Sequence, residues 1–315
     1  NVRARGPRVI SFNLSPPTGG GCRNANRRNL PTGKAGMQES ANRPLNIVVL
    51  VKHVPDTQFD RRLEGPDHTL DRSESILSEL DEYALEAALQ LAEERGGDKG
   101  GNTVTAVTMG PSAAVNAVKK SLQIGAYKGV HLSDDALQGS DAAATSLALA
   151  AVVRHLEATQ GPVDLVITGM ASTDGETSLV PAQLAERLGF AQLTFASELS
   201  TAAGESGMVL HARREGDSYS EVIEAPLPAV VSVTDQANEP RYPNFRGIMA
   251  AKKKPVTVLS LQDVGLDPAQ VGKQGSWTSV AASAPRPARG AGTVITDDGD
   301  AGIKLVDYLA SQKLI

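Results

Sequence analysis

A polar loop that contains two glycines gives the clearest indication of chemistry in the sequence. The loop covers residues 169–178 (GMASTDGETS) and follows an apolar run, Val163–Thr168. In an open α/β sheet, ligands bind outside the carboxyl ends of the strands, where the next helix offers free N–H groups to an anion. The loop is therefore compatible with a nucleotide phosphate site. An ordinary capped strand–helix loop is the alternative, because Asp174 and Glu176 would repel a phosphate that faced them.

Other catalytic and metal-binding signatures are missing from the sequence. There is no Walker A loop, no G-x-G-x-x-G after the first apolar run and no G-x-S-x-G, and the five histidines show neither HxH nor HExxH spacing. The one cysteine, Cys22, excludes a disulfide framework or thiolate metal site in the rest of the chain. We predict no catalytic residue and no metal site, so redox chemistry would need a bound cofactor.

The charge of the chain is distributed unevenly. Residues 1–44 hold eight of the 31 basic residues and one of the 36 acidic residues, which leaves 23 basic and 35 acidic residues and a net charge of −12 beyond them. This acidity argues against a nucleic-acid binder. The basic segment has no apolar period, so we expect a disordered tail that either precedes a true start at Met37 or is a mitochondrial transit peptide. The sequence has no apolar run of about 18 residues, so we predict no membrane span.

A second unusual segment, Asn238–Lys254, concentrates aromatic and basic side chains. Tyr242 and Phe245 lie between Arg241 and Arg246, and two prolines and a glycine oppose a regular helix through the first half. An exposed aromatic among arginines has the composition of a protein-docking hot spot. A buried aromatic plug with solvated charges is the alternative.

Short apolar runs alternate with amphipathic stretches over the body of the chain. This alternation predicts an α/β fold with a Rossmann-like, doubly wound parallel sheet, and the later strand runs predict an antiparallel extension. The acids of the first helix are interpreted as its solvated face. The predicted strands are Asn46–Lys52, Thr103–Met109, Gly129–Leu132, Val163–Thr168, Gln192–Phe195, Gly207–Arg213, Ser220–Ile223, Leu227–Val233 and Val256–Leu261. The predicted helices are Leu80–Glu94, Ser112–Gln123, Ser140–Ala158, Leu179–Leu188 and Gly302–Gln312.

The C-terminal part of the chain has a different composition. It is rich in Gly, Ser, Ala and Pro through about Gly292 and then ends in the last predicted helix. Such a stretch either lies against a partner subunit or is a flexible linker with a terminal cap. We therefore predict a tail at 1–44, a Rossmann-like domain at 45–262 and a C-terminal arm at 263–315.

Three segments, in the same order along the chain, resemble electron transfer flavoprotein beta subunits. They are Asn46–Asp56 (NIVVLVKHVPD), Thr168–Val180, and Asn238–Lys254 together with the preceding Leu227–Thr234. The resemblance covers about residues 45–315 and includes the terminal helix. It implies that residues 263–315 pack on the alpha subunit of a heterodimer.

The resemblance implies an electron carrier that is not an enzyme on its own. The alpha subunit of such a heterodimer holds most of the FAD, while the beta subunit covers part of the flavin and buries an AMP. Electrons come from flavin dehydrogenases, such as the acyl-CoA dehydrogenases of fatty acid oxidation, and pass towards a quinone-linked oxidoreductase. A second, bifurcating flavin in place of AMP stays open, because both would use the same loop.

The resemblance also transfers site residues by position. The FAD-proximal residues are Asp56, Thr57 and Leu80, and relatives often carry aromatic residues at the last two of these positions. Glu215 pairs with an arginine of the alpha subunit, and Phe245 is the apolar anchor of the docking loop. The docking residues are Arg241, Tyr242, Phe245, Arg246, Ile248 and Met249. The AMP contacts are Leu50, Ser78, Glu79, Leu80, Asp81, Met109, Gly169, Met170, Ala171, Ser172, Thr173, Asp174, Gly175, Glu176, Thr177, Ser178, Leu179 and Val180.

A nucleotide-binding module of the universal-stress type is the alternative function, because it shares the same kind of fold. It would bind ATP as an isolated chain and no flavin. The expected location is the bacterial cytoplasm, with the mitochondrial matrix as the alternative if the basic tail is a transit peptide.

Overall fold

The computed structural model describes residues 43–66, 68–204, 207–284, 287, 290, 292, 294 and 296–315. Residues 1–42, which include Cys22 and nearly all of the predicted tail, lie outside the described residues. The chain divides into a unit that ends at Ser279 and a unit over Val280–Ile315. The first of these units includes residues 263–279, the beginning of the predicted C-terminal arm.

The helices and strands are numbered in chain order. The strands are β1 (Asn46–Leu50), β2 (His53–Pro55), β3 (Leu63–Glu64), β4 (Thr69–Leu70), β5 (Ser75–Leu77), β6 (Thr103–Met109), β7 (Lys128–Leu132), β8 (Leu165–Gly169), β9 (Ala191–Ala196), β10 (Glu198–Gly204), β11 (Gly207–Glu215), β12 (Ser220–Pro226), β13 (Ala229–Val233) and β14 (Val256–Leu259). The α-helices are α1 (Glu79–Glu93), α2 (Val115–Ile124), α3 (Ala142–Gln160), α4 (Val180–Leu188), α5 (Phe245–Ala251), α6 (Gly272–Gly275) and α7 (Ala301–Ser311). Short 3-10 helices cover Asp98–Gly100, Ser112–Ala114, Asp135–Leu137 and Pro268–Gln270.

A parallel seven-stranded sheet forms the centre of the first unit. Its order is β14-β7-β6-β1-β8-β13-β9, and every neighbouring pair is parallel. The chain fills one side of β1 with β6 and β7 and then crosses to the other side with β8. The order of the strands therefore reverses between β1 and β8, which is the position where such sheets bind ligands.

Successive residues of β1 face two different hydrophobic cores. Ile47 and Val49 lie in the core that contains Leu85 and Leu89 of α1. Val48 belongs to the opposite core, with residues of α3 and α4. Burial on both faces explains why the central strands are continuous apolar runs rather than alternating ones. This confirms the predicted doubly wound α/β fold.

The later strands divide between two sheets. β10, β11 and β12 form the predicted antiparallel extension. The runs predicted at Gln192–Phe195 and Leu227–Val233, however, become β9 and β13 and pair in parallel within the central sheet. The antiparallel pairs β2–β5 and β3–β4 were not predicted, because strands of two or three residues carry no readable period.

Within the described part of the chain, no helix combines the length and apolar character that crossing a membrane requires.

Candidate functional site

The carboxyl ends of β1 and β8 meet the N-terminus of α1 at one buried carboxylate. Asp81, in the first turn of α1, is 6% exposed and accepts a 2.7 Å hydrogen bond from the backbone N–H of Lys52. The backbone N–H of Gly169 also donates to this carboxylate. Burial raises the pKa of Asp81 to about 7, although both N–H groups favour the charged form. Asp81 therefore joins the two strands on either side of the switch point.

Gly169 is required at the end of β8 by close packing. A Cβ at this position would lie 2.8 Å from the carbonyl oxygen of Leu80 and 2.9 Å from Oδ1 of Asp81. Real Cβ atoms do not approach backbone oxygens so closely, so any larger residue would push α1 away from the strand. The structure thus brings the start of the loop at 169–180 directly against Leu80 and Asp81, and contact of these positions with AMP stays a prediction.

Asp174 holds the loop at 169–178 in place through ion pairs with two basic side chains. Its side chain is 3% exposed and pairs with Lys52 Nζ at 2.9 Å and with a terminal nitrogen of Arg72 at 2.5 Å. Burial alone would raise the pKa of Asp174, but the charges and hydrogen bonds of Lys52 and Arg72 outweigh it and hold the pKa well below its usual range. Arg72 also donates to the carbonyl of His53 at 3.0 Å, which links the loop to β2.

Lys52 and Arg72 were missed as site residues by the sequence analysis. Lys52 lies within the Asn46–Asp56 motif, so a signal for it existed. Arg72 carried no signal, because it lies 102 residues from Asp174 and only the fold brings the two together.

The backbone of the loop is strained at two residues. Glu176 and Ser178 have φ angles of 50° and 53°, in the left-handed region that disfavours residues with a Cβ. The N–H of Gly175 donates to Asp174 Oδ1 at 2.8 Å, which helps to fix this shape. Strain of this kind persists only where the surroundings impose it, and it is concentrated at functional sites.

Three hydroxyl groups at this edge of the sheet are buried without a hydrogen-bond partner. They belong to Ser78, Thr108 and Thr173. Ser78 stands at the N-cap of α1 yet makes no capping bond, and its backbone N–H donates to the carbonyl of Lys52 at 3.0 Å. Unpaired buried hydroxyls are costly. These three hydroxyls therefore have hydrogen-bonding capacity that no other group of the described chain uses.

Of the residues expected near FAD, Asp56 and Thr57 lie in the turn after β2, and Leu80 lies in the first turn of α1. The N–H of Phe59 donates to the carbonyl of Asp56 at 3.2 Å, and Asp56 is itself anchored by a 2.9 Å bond to the carbonyl of Glu74. Thr57 is exposed, and Leu80 is half-buried next to Asp81. The side chain of Phe59, which the sequence analysis did not single out, is exposed beside them.

Glu215 lies at the end of β11 beside a surface cavity. Its carboxylate accepts a 2.6 Å bond from Arg213 Nε. The cavity has a volume of about 310 Å³, and its lining includes Glu215, Arg214 and Phe195. The expected partner of Glu215 is an arginine of another chain, so this pairing stays a prediction.

The predicted docking segment exposes its aromatic residues. Tyr242 is 89% exposed and Phe245, the first residue of α5, is 78% exposed. The alternative of a buried aromatic plug is therefore wrong. Ile248 and Met249, three and four residues after Phe245, are also exposed, as expected for one face of a helix. These four residues form what we call the docking surface.

The acids of α1 are not all solvated, contrary to the interpretation from the sequence. Asp81 and Glu86 are buried, Asp81 at the switch point and Glu86 under Arg241. The period of apolar residues along a helix cannot distinguish a buried acid from a solvated one, because both kinds of acid have similar apolar neighbours in the sequence.

No group of three or more His, Cys, Asp or Glu residues that could hold a metal ion occurs in the described ranges. Among the histidines, His131 is buried, and its Nε2 lies 2.9 Å from the carbonyl oxygen of Gly110.

A comparison with known protein families matches residues 68–264 to the electron transfer flavoprotein domain. The chain belongs to the electron transfer flavoprotein family. The relatives agree with this assignment. The electron transfer flavoprotein subunit beta of Mycobacterium tuberculosis is 46% identical over 272 residues, which cover 86% of this chain and 99% of the relative. That of Megasphaera elsdenii is 34% identical over 279 residues, which cover 86% and 100%.

A relative from Acetobacterium woodii has a different name. The caffeyl-CoA reductase-Etf complex subunit CarD is 36% identical over 254 residues, which cover 80% of this chain and 92% of the relative. Together these similarities confirm the predicted beta-subunit role, that of an electron carrier whose electron transfer involves a flavin rather than a stand-alone catalyst. They also favour this role over the alternative of a universal-stress-type module.

Proposed function

We propose that this chain is the beta subunit of a heterodimer whose alpha subunit holds most of the FAD, and that it covers part of this flavin and binds AMP. The AMP proposal rests on the edge of the sheet at which β1 and β8 end. Its buried hydroxyls lack partners, its loop is strained, and a carboxylate joins the two strand ends. A polar ligand with several acceptors and donors would satisfy these groups.

The residues of this edge suit an adenine nucleotide. The hydroxyls of Ser78 and Thr173 and the free N–H groups of the loop would hold its polar groups, and Lys52 and Arg72 supply positive charge close by. Asp174 compensates that charge, which suits a ligand of modest charge better than a triphosphate. AMP carries the smaller phosphate group, so we favour it over ATP.

FAD supplies the redox chemistry of the complex when it is bound. The part of this chain is to cover and orient the flavin through Asp56 and Thr57, in the turn after β2, and through Leu80, in the first turn of α1. Thr57 and Leu80 cannot stack as an aromatic ring would, so they would exclude water and fix the position of the flavin.

The proposed electron path runs from flavin dehydrogenases, such as acyl-CoA dehydrogenases of fatty acid oxidation, to a quinone-linked oxidoreductase. The docking surface supports the first step, because a small apolar anchor suits a brief electron-transfer encounter. In the heterodimer, Glu215 would pair with an arginine of the alpha subunit, and residues 263–315 would pack on that subunit. The proposed location is the cytoplasm of a bacterium, in keeping with the bacterial relatives.

Co-expression with the alpha-type subunit tests the proposal. We expect a yellow 1:1 complex with a flavin spectrum, and nucleotide extraction should release FAD and AMP in equal amounts. A colourless chain without a partner would contradict the carrier role. Release of FAD alone, at two per complex, would replace AMP with a second flavin and leave the carrier role standing.

A further inference from the structure

The segment between β13 and α5 is fixed to α1 through one arginine. Arg241 donates from Nε to Glu86 Oε2 at 2.7 Å and from a terminal nitrogen to Glu86 Oε1 at 2.9 Å. Its terminal nitrogens also donate to both oxygens of Glu93, at 2.5 and 2.9 Å. Both carboxylates belong to α1, seven residues apart. One planar guanidinium therefore bridges two turns of the helix, and we call this group the Arg241 clamp (Arg241, Glu86 and Glu93).

Arg241 and Arg246, the two arginines of the segment, differ in exposure and in the pairing of their charges. The side chain of Glu86 is 5% exposed, so no partner protein can touch it in the folded chain. Hydrogen bonds to Glu93 and Glu86 raise the pKa of Arg241, whose positive charge is paired with these two carboxylates of its own chain. Arg246 is exposed and forms no ion pair within the described ranges, so its charge is available to another protein.

Contacts with α2 hold the same segment from the other side. The Cα of Gly247, in α5, packs so closely on α2 that a Cβ would lie 2.5 Å from the carbonyl oxygen of Gln123. Lys254 Nζ donates to the carbonyls of Leu122 and Ala126 at 2.9 and 2.7 Å. Three of the four residues of the docking surface therefore lie on a short helix, Tyr242 lies three residues before it, and the segment is fixed to both α1 and α2.

We infer that Arg241 is a positioning residue, which holds the docking surface in its binding orientation through Glu86 and Glu93 and does not itself contact the dehydrogenase. This inference rests on the proposed function of that surface. A loop that is already ordered loses less conformational freedom on binding, so the clamp would strengthen the encounter without adding a contact.

The test compares Arg241→Ala with Glu86→Gln in the flavin-loaded heterodimer, with a purified acyl-CoA dehydrogenase as the electron donor. We expect both variants to raise the KM for the heterodimer, Arg241→Ala by about tenfold, which corresponds to about 1.4 kcal/mol. The kcat and the flavin content should not change. The double variant should be no worse than Arg241→Ala alone, because both changes open one clamp. Hydrogen–deuterium exchange should become faster over residues 239–251.

Arg241→Lys and Arg154→Ala are the matched comparisons. Lys keeps the charge but cannot bond two carboxylates in a planar fork, so we expect Arg241→Lys to keep a raised KM. Arg154 is an exposed arginine of α3, outside the docking segment, and its removal changes the net charge equally. We expect Arg154→Ala to leave the KM unchanged.

Two results would overturn the inference. If Arg241→Ala raised the KM but Glu86→Gln did not, or if Arg241→Lys restored the wild-type KM, Arg241 would be a direct contact of the dehydrogenase. If Arg241→Ala fails to assemble, Glu93→Gln carries the test, since its side chain is 50% exposed and better able to tolerate replacement. An unchanged KM in Phe245→Ala would instead refute the proposed docking function, so the two failures are distinguishable.

Discussion

At the scale of single residues, the candidate site depends on close approach between backbone segments. Gly169 lets the first turn of α1 lie against the end of β8, and Asp81 then reaches both strand ends. Neither residue brings reactive chemistry of its own. Their effect is to place the loop at 169–178 beside residues 78–81, so changes at these two positions should be felt as altered stability and nucleotide content.

Gly169→Ala should lower both stability and AMP content. Its Cβ would lie 2.8 Å from the carbonyl oxygen of Leu80, and overpacking of this kind costs about 1–3 kcal/mol. The measurements are the melting temperature of the heterodimer and the nucleotide released on denaturation. Glu186→Ala, at an exposed position of α4 in the first unit, is the control. Equal effects of the two substitutions would refute the packing argument.

Asp81 should make stability depend on pH. Its pKa is raised by burial to about 7, so between about pH 4 and 7 the folded chain binds a proton that the unfolded chain has lost. The contribution of Asp81 to the free energy of unfolding is therefore at its full value below about pH 4, and it is lost as the pH rises to about 7. Asp81→Asn removes this dependence. The melting temperature of the variant, relative to wild type, should therefore rise over that range. A difference that is constant with pH would contradict the prediction.

At the scale of helices and strands, the sequence predicts those elements that have a continuous apolar run or a helical period of apolar residues. β1, β6, β8 and their helices begin and end within about three residues of the predicted bounds, because doubly buried strands are continuous apolar runs. The short pairs β2–β5 and β3–β4 carry no such run. The bonds between Arg72 and Asp174 and between Arg241 and Glu86 link residues 102 and 155 positions apart, so only the folded chain brings them together.

The docking surface on α5 should act in electron transfer but not in flavin binding. Phe245→Ala removes an aromatic ring that is 78% exposed, so folding should be little affected. We expect slower electron transfer from an acyl-CoA dehydrogenase in stopped-flow measurements, with unchanged flavin content. Val258→Ala, an exposed apolar residue on the edge strand β14, is the matched control. Loss of flavin, or an unchanged rate, would reject the docking assignment.

At the scale of the whole molecule, charge is segregated. Residues 45–315 have a net charge of −12, yet Arg246, Lys252 and Lys253 are exposed around α5 and form no ion pair among the described residues. Exposed basic residues around α5, in an otherwise acidic body, would orient this region towards an acidic partner before contact. The site and the family assignment do not depend on this property, but the rate of the encounter would.

Rising ionic strength should slow electron transfer from the dehydrogenase, because exposed charges are screened beyond about 8–10 Å at physiological salt. Replacing Arg246, Lys252 and Lys253 together by alanine should reduce this dependence. The measurement is the bimolecular rate constant over a range of salt concentrations. Arg154→Ala removes one positive charge outside the docking segment and should change the salt slope less than the triple variant. A triple variant with an unchanged slope would show that the basic region does not guide association.

The two ends of α1 have different partners. Its first turn carries Asp81, and Glu86 and Glu93 further along bind Arg241. At about 1.5 Å per residue, the twelve residue steps from Asp81 to Glu93 span about 18 Å. On the proposed docking function, exchanging donor specificity between relatives would require more than grafting residues 238–254. The grafted segment would be held in place only if α1 of the recipient carried acids at the positions of Glu86 and Glu93. The segment and α1 would therefore have to be transferred together.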